Sequence, residues 1–211
     1  VIAGYDSEIN YVDKHVKRLL KNIPTGNTIV VITSDHGEEF REHGAWDHGT
    51  NLYNESIRIP LIISRPDRPH KIIPQPVSLL DLYPALLSRA GIPLPEKLDA
   101  QALPPREKRA VYSELAKRHR YGFISDPQKT IIKDRYKLHR NLSSGREELY
   151  DIVSDPGETQ DISLKKPKIK NEMHILMDKL VSKEKRFKAR LKYTETDKKT
   201  IKLLRSLGYI Q

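Results

Sequence analysis

Thr28-Ile29-Val30-Val31-Ile32-Thr33 limits what this chain can fold into more than any other stretch. The run is β-branched throughout and of strand length. It lacks the apolar-polar alternation of a half-exposed strand, so it reads as a buried central strand of an α/β sheet. Directly after it comes TSDHGEEFREHGAWDHGT, Thr33 to Thr50, with three His-Gly pairs set among carboxylates. In open α/β sheets ligands gather at the carboxyl ends of strands. This loop is therefore where chemistry is expected.

The flanking segments support a layered domain. From Asp6 to Ile23 apolar residues recur every three or four positions, which predicts a one-sided helix ended by Pro24-Thr25-Gly26. Ile57 to Ile63 predicts a second buried strand, with Pro60 marking a bulge or sheet edge. Ser78 to Ala90 predicts another amphipathic helix, stopped by Gly91 and Pro93. Helix, strand, loop, strand, helix is the order of part of a layered α/β domain, taken here as residues 1–104. The Pro-rich stretch Leu94 to Glu107 reads as a linker. Beyond it the short candidates AVYSE, YGFIS, KTIIK, YKLHR and ELYDI, separated by turn signals, imply a small antiparallel sheet over residues 105–164. Lys168 to Leu191 and Asp197 to Leu207 are weaker helix candidates in a basic tail, residues 165–211.

Composition narrows the class. Over 211 residues, 37% hydrophobic and 31% charged content fits a globular protein and excludes wholesale disorder. No apolar run approaches the roughly 18 residues of a membrane span. The opening VIAGYDSEINYVDK has no Met and no basic leader, so the chain is expected to begin inside something longer. Having no Cys, the chain holds no disulfide, thiolate metal site or Cys nucleophile. That fits a reducing compartment, and a cytoplasmic setting is the expectation. The net charge of +10 resides in Lys165 to Gln211, which carries fifteen Lys/Arg against five Asp/Glu. Such a tail is either a solvated helical face or a contact for a polyanion such as nucleic acid, an acidic membrane or a sulfated polymer.

Within the His-Gly loop, Asp35 and His36 offer a hard oxygen and an imidazole nitrogen, a pair able to share one divalent cation. Gly37 would allow the sharp exit that aims both at one place. Two ligands hold a metal weakly, so the others must come from elsewhere.

The runs YDSEINYVD, NTIVVITSDHGEEFREHGAWDHGTNLYNESIRIPLII and VSLLDLYPALLSRAGIPLP resemble the C-terminal half of a sulfatase of the alkaline-phosphatase superfamily. VYSE, DRYKLHR, ELYDIVSDPGETQDIS and LLRSLGY are similar, in order, to the small sheet and C-terminus of the same family. The resemblance implies metal-dependent hydrolysis of a sulfate monoester on a small molecule or glycan. It implies Asp35 and His36 as metal ligands, with calcium the usual ion and Mn, Mg or Zn left open by the imidazole. The family pattern Lys/His-Gly-Thr-x-x-Tyr-x-Glu-x-x-Arg-x-Pro runs here from His48 to Pro60. This gives His48 the sulfate-gripping or general-acid role. His43 is read as orienting a ligand or touching substrate, and Trp46 as lining a sugar or aryl subsite or simply packing. Tyr53, Glu55 and Arg58 are read as structural, with Arg58 pairing with a carboxylate at the strand start. His139 is read as bordering the cleft or as an ordinary strand histidine.

Members of the family attack with formylglycine, made from the first residue of a Cys/Ser-x-Pro/Ala-x-Arg motif. The resemblance puts that motif and an early Asp-Asp metal pair in the half preceding the matched stretch. The missing N-terminal half is thus an expected partner, and this chain alone is expected to be inactive. Two other readings stand beside this one: a phosphatase, phosphonate hydrolase or phosphotransferase of the same superfamily, and a non-catalytic polyanion-binding fragment.

Overall fold

The one-sided apolar pattern near the N-terminus becomes helix α1, Ile2–Leu20, in the computed structural model. The structure describes residues 1–66, 70–95, 98, 100, 103, 109–116, 118–120 and 123–188. Strand β1, Val30–Thr33, follows and leads through the His-Gly loop into two short strands, β2, Glu39–Phe40, and β3, Trp46–Asp47. These two form a hairpin in which Glu39 faces Asp47 and Phe40 faces Trp46. A single helical turn, α2, Asn54–Ile57, precedes strand β4, Leu61–Ser64. The expected strand from Ile57 therefore starts four residues later. Pro60, which has no N–H to give a ladder, sits just before it.

β1 pairs with β4 antiparallel, Thr33 facing Leu61 and Val30 facing Ser64. The expectation of a buried central strand needs correction. Among the described residues β1 has this one neighbour, and its residues are half-buried or exposed. Among the described residues its continuous apolar character has no second sheet neighbour to bury it.

Ser78 opens the next helical segment with a capping box: its Oγ accepts from the Leu80 N–H, and its own N–H donates to Asp81 Oδ2. Helix α3, Leu82–Arg89, continues from that cap. Part of the expected linker lies outside the described residues. Leu103 within it is buried, and its carbonyl accepts from Arg89 at 3.1 Å.

Strands β5, Val111–Leu115, β6, Arg118–Arg120, β7, Phe123–Ser125, β8, Gln128–Lys133, β9, Tyr136–Asn141, and β10, Glu147–Asp151, complete the sheets. β6 and β7 form a separate hairpin, and the main sheet has the antiparallel order β10-β9-β8-β5. Register decides what each face does. Ile131, Leu138 and Leu149 face one another across three strands and are fully buried. The adjacent rows place Thr130, His139 and Glu148, then Ile132, Lys137 and Tyr150, on the opposite face. One face is thus core, and the other is lined with polar groups.

Helix α4, Pro167–Lys188, follows, with Met173 buried in its first half. The chain divides into compact units at Val1–Ile175 and Leu176–Gln211. The expected boundaries near residues 104 and 164 therefore fall inside the first unit, where α2 and the antiparallel sheet share buried polar bonds. The helix expected at Asp197 to Leu207 lies outside the described residues.

Candidate active site

Beyond Thr33 the chain leaves β1 and turns at once. Ser34 Oγ donates to the His36 carbonyl at 2.6 Å, and the His36 N–H reaches Asp35 Oδ1 at 3.1 Å. Gly37 is required here for space rather than for an unusual backbone angle, which corrects the expectation. Its N–H donates to the Ser56 carbonyl at 2.9 Å, and a Cβ on it would lie 1.9 Å from the Glu55 carbonyl oxygen. The strand exit is thereby pressed against α2. Gly44 and Gly49, the other two glycines of the His-Gly pairs, adopt φ of 94° and 78°.

The loop closes on Glu39, whose fully buried carboxylate accepts from four donors. The His43 and Ala45 N–H groups reach Oε1 at 3.1 and 2.8 Å. The Thr50 hydroxyl reaches Oε2 at 3.3 Å, and the Asn51 side-chain amide donates to the same oxygen. Those partners bracket His48. Charge-assisted bonds from neutral donors satisfy the carboxylate without a cation and fix the loop that carries His48. Sequence reasoning passed over Glu39 because a loop Glu beside another Glu looks like solvated surface.

His36 and His48 stack with ring centroids 3.9 Å apart, and Asp35 Oδ1 lies 3.7 Å from His36 Nε2. His36 thus touches both Asp35 and His48, but the ligand atoms of Asp35, His36 and His48 do not converge within 4.8 Å as one set. His48 Nδ1 lies 2.7 Å from Asp47 Oδ1 and 3.6 Å from Glu38 Oε2. Asp47 reaches that position with a left-handed φ of 71°, a conformation Asp tolerates better than most residues. Glu38, Asp47 and His48 each offer a ligand atom within 4.8 Å of the others. Glu38 Oε1 is buried with no hydrogen-bond partner among the described residues, and the Asp35 side chain is 86% exposed. The orphaned Glu38 oxygen, the Asp47 carboxylate and the His48 imidazole fit a divalent cation, and Asp35 and His36 lie outside that set. Glu38 and Asp47 escaped sequence reasoning because the motif drew attention to Asp35 and His36 alone.

His43 lies deeper. Its Nδ1 is 2.6 Å from Glu55 Oε1, its Nε2 is 3.3 Å from the Glu158 carbonyl, and its ring stacks on Tyr53 at 3.7 Å. Tyr53 stacks in turn on His139 at 4.8 Å and donates to Glu148 Oε2 at 2.8 Å. Burial and the Glu148 carboxylate push the Tyr53 hydroxyl pKa up, and burial pulls His139 down to about 4. Below this stack Lys137 Nζ and Glu158 Oε1 meet at 2.6 Å, both fully buried, while Glu158 Oε2 accepts from the Asn54 N–H at 2.6 Å. Burial lowers the Lys137 pKa and raises that of Glu158. Trp46 is exposed, with the Arg41 guanidinium 5.2 Å over its ring. Arg58 is exposed and, contrary to expectation, has no carboxylate partner among the described residues.

One string, Ser64-Arg65-Pro66-Asp67-Arg68, has the form of the family's nucleophile motif. Its serine faces Val30, the residue of the β1–β4 ladder farthest from the loop. Three residue steps of strand, roughly 10 Å, separate it from Thr33 and the site beyond. Ser64 is not assembled with Asp35, His36 and His48.

The sulfatase family model matches residues 1–92, the segment holding β1, the loop and α3. A Delta 4,5-hexuronate-2-O-sulfatase of Bacteroides thetaiotaomicron is 30% identical over 202 residues, 87% of this chain and 42% of that protein. The chain belongs to the sulfatase family. Arylsulfatase K of Canis lupus familiaris is 33% identical over 156 residues, 68% of this chain and 29% of that one. The solved structure of a 2-O GAG sulfatase superposes with a TM-score of 0.71 at 30% identity, covering 88% of this chain and 43% of the other. This sulfatase chain thus spans less than half the length of these relatives.

Proposed function

We propose that this chain forms the cation- and sulfate-facing side of a sulfuric ester hydrolase whose substrate is a 2-O-sulfated hexuronate unit of a glycan. The observation that carries the reading is the contact of His36 with both Asp35 and His48 beyond the carboxyl end of β1, beside the convergent Glu38, Asp47 and His48. The substrate class rests on likeness to a hexuronate-2-O-sulfatase and to the solved structure of a 2-O GAG sulfatase. Asp35 and His36 would hold the divalent ion, with Glu38 and Asp47 beside them. Three carboxylates suit calcium, and the imidazole admits Mn, Mg or Zn. When bound, such an ion supplies positive charge against the sulfate oxygens. Asp47 Oδ1, 2.7 Å from His48 Nδ1, places negative charge against the ring. His48 then donates to a sulfate oxygen or protonates the leaving alkoxide. His43, tied to Glu55 and Glu158, orients the loop instead of touching substrate. The nucleophile comes from outside these 211 residues.

Two measurements test this. Calorimetric titration of calcium or manganese should detect binding that Asp35→Asn weakens at least about tenfold, the loss of one carboxylate ligand. Equal binding by both proteins would remove Asp35 from the site. With 4-nitrophenyl sulfate the chain alone should show no turnover above blank. Turnover that survives repurification and disappears in Ser64→Ala would relocate the nucleophile to this chain.

A further inference from the structure

The ring of His43 meets more acceptors than a neutral imidazole can satisfy. It sits among the His-Gly loop, α2 and the turn beyond β10, with its side chain 15% exposed and that of Glu55 12%. Nε2 is directed at the Glu158 carbonyl at 3.3 Å, and a carbonyl only accepts, so Nε2 carries hydrogen. A neutral ring has one N–H, which would leave Nδ1 bare. Nδ1, however, lies 2.6 Å from Glu55 Oε1, a distance at which two lone pairs repel unless a proton stands between them.

Charge counting leads to the same place. Lys137 is committed to Glu158 at 2.6 Å, and Arg146 to Glu148 at 2.6 Å. Neutral donors satisfy Glu39, the His43 N–H among them. Among the described residues Glu55 has no Lys or Arg within ion-pair distance, and its one close partner is His43. A charged ring stacked at 3.7 Å on Tyr53, whose hydroxyl donates to Glu148, supplies the cation that Glu55 lacks.

We propose that His43 Nδ1 and Glu55 Oε1 hold a proton between them, and that this proton clasps the His-Gly loop to α2 and to the turn at Glu158. Both are positioning residues. They act on His48 through Glu39, which takes the His43 N–H on one side of it and the Thr50 and Asn51 side chains on the other. The clasp belongs to the folding of the loop, so it goes beyond the hydrolase reading and stands without it.

Linkage fixes the sign of its pH dependence. An unfolded histidine releases this proton near 6.5, whereas the folded pair keeps it. The stabilisation is therefore complete below about 6.5 and is lost as pH rises through the point where the pair lets go. What faces the ring is mostly acidic: Glu39 on its own loop, Glu55 beside Tyr53, Asp155 and Glu158 in the turn, and Glu148 behind Tyr53. Lys137 opposes the proton from the sheet, and His139, with a pKa of about 4, is neutral throughout this range.

Nitrogen-15 labelling of the histidines in the full chain tests this by NMR, with the His43 ring identified through its contact with Tyr53. At about pH 7.5, a unit above the ordinary histidine value, both ring nitrogens of His43 should carry hydrogen. In Glu55→Gln the carboxamide can itself donate to Nδ1, so the ring should be neutral with hydrogen on Nε2 alone and the loop should stay clasped. Between about pH 7 and 9 the Gly44 and Ala45 amide signals should shift in the unaltered chain and hold still in the variant. A bare Nδ1 in the unaltered chain at that pH would overturn the clasp, and this reading needs no variant to fold. A two-proton ring that survives Glu55→Gln would overturn it as well. So would loop signals that ignore pH in both proteins, the behaviour of side chains that only fill space. No turnover enters any of these readings, so a chain without a part in sulfate-ester hydrolysis would still show the clasp.

Discussion

Gly37 and His139 show how single positions set the limits of this site. At Gly37 the neighbouring carbonyl leaves no room for a methyl group, and the neighbour is backbone, which cannot swing aside. Gly37→Ala should displace α2 from the strand exit and cost roughly 1–3 kcal/mol, in the range of core overpacking. Urea denaturation measures it, and a loss under 0.5 kcal/mol would show the exit to be loose. His139 is 4% exposed and held near a pKa of about 4 by burial, with Lys137, His43 and Arg146 adding repulsion. The unfolded chain therefore binds a proton below about 6.5 that the folded chain refuses until about 4. Stability is complete above pH 6.5 and falls as pH drops toward 4, by about 3 kcal/mol in all. His139→Asn should flatten that slope between pH 7 and 4.5. An unchanged slope would mean another group is responsible.

Among the elements, α2 and the polar face of the β8–β10 sheet carry the coupling. Lys137 and Glu158 form a buried pair whose members are each destabilised by desolvation and held by the other. Lys137→Met should cost about 3–5 kcal/mol because it strands the Glu158 carboxylate. Adding Glu158→Leu should recover much of that loss, and a double-mutant cycle in denaturant checks it. Additive losses would show that the two do not act as a pair. The helix faces, the small antiparallel sheet and its turns were legible in the sequence because period and turn chemistry are local. Asp35, His36 and His48 were legible through a motif. Glu39, Glu38 and the Lys137–Glu158 pair were not, since their partners are far along the chain or belong to a loop whose closure no local pattern reports. The burial of β1 was misjudged because a run of β-branched residues specifies what a strand needs, not what surrounds it.

On the scale of the whole molecule, the positive charge lies at the C-terminal end of the sequence. Removing all of Lys165 to Gln211 would also strip Met173 from the core and His174 from its 2.8 Å contact with Glu147, so that truncation confounds charge with folding. Deleting only residues 183–211 removes ten Lys/Arg and three Asp/Glu and spares both contacts. If the tail holds a sulfated polymer, the shortened chain should elute from heparin at clearly lower salt with an unchanged Tm. Identical elution would return the tail to a solvated role.

The alternation along β8, β9 and β10 has a consequence for anyone who would move this loop between relatives. Tyr53 and His43 rest on His139 and Glu148, and Asn54 leans on Glu158 beside Lys137. Grafting residues 34–58 onto another scaffold would transplant a roof without its beams. The graft must carry the strand positions beneath it, or the imidazole at 48 arrives without the footing that aims it.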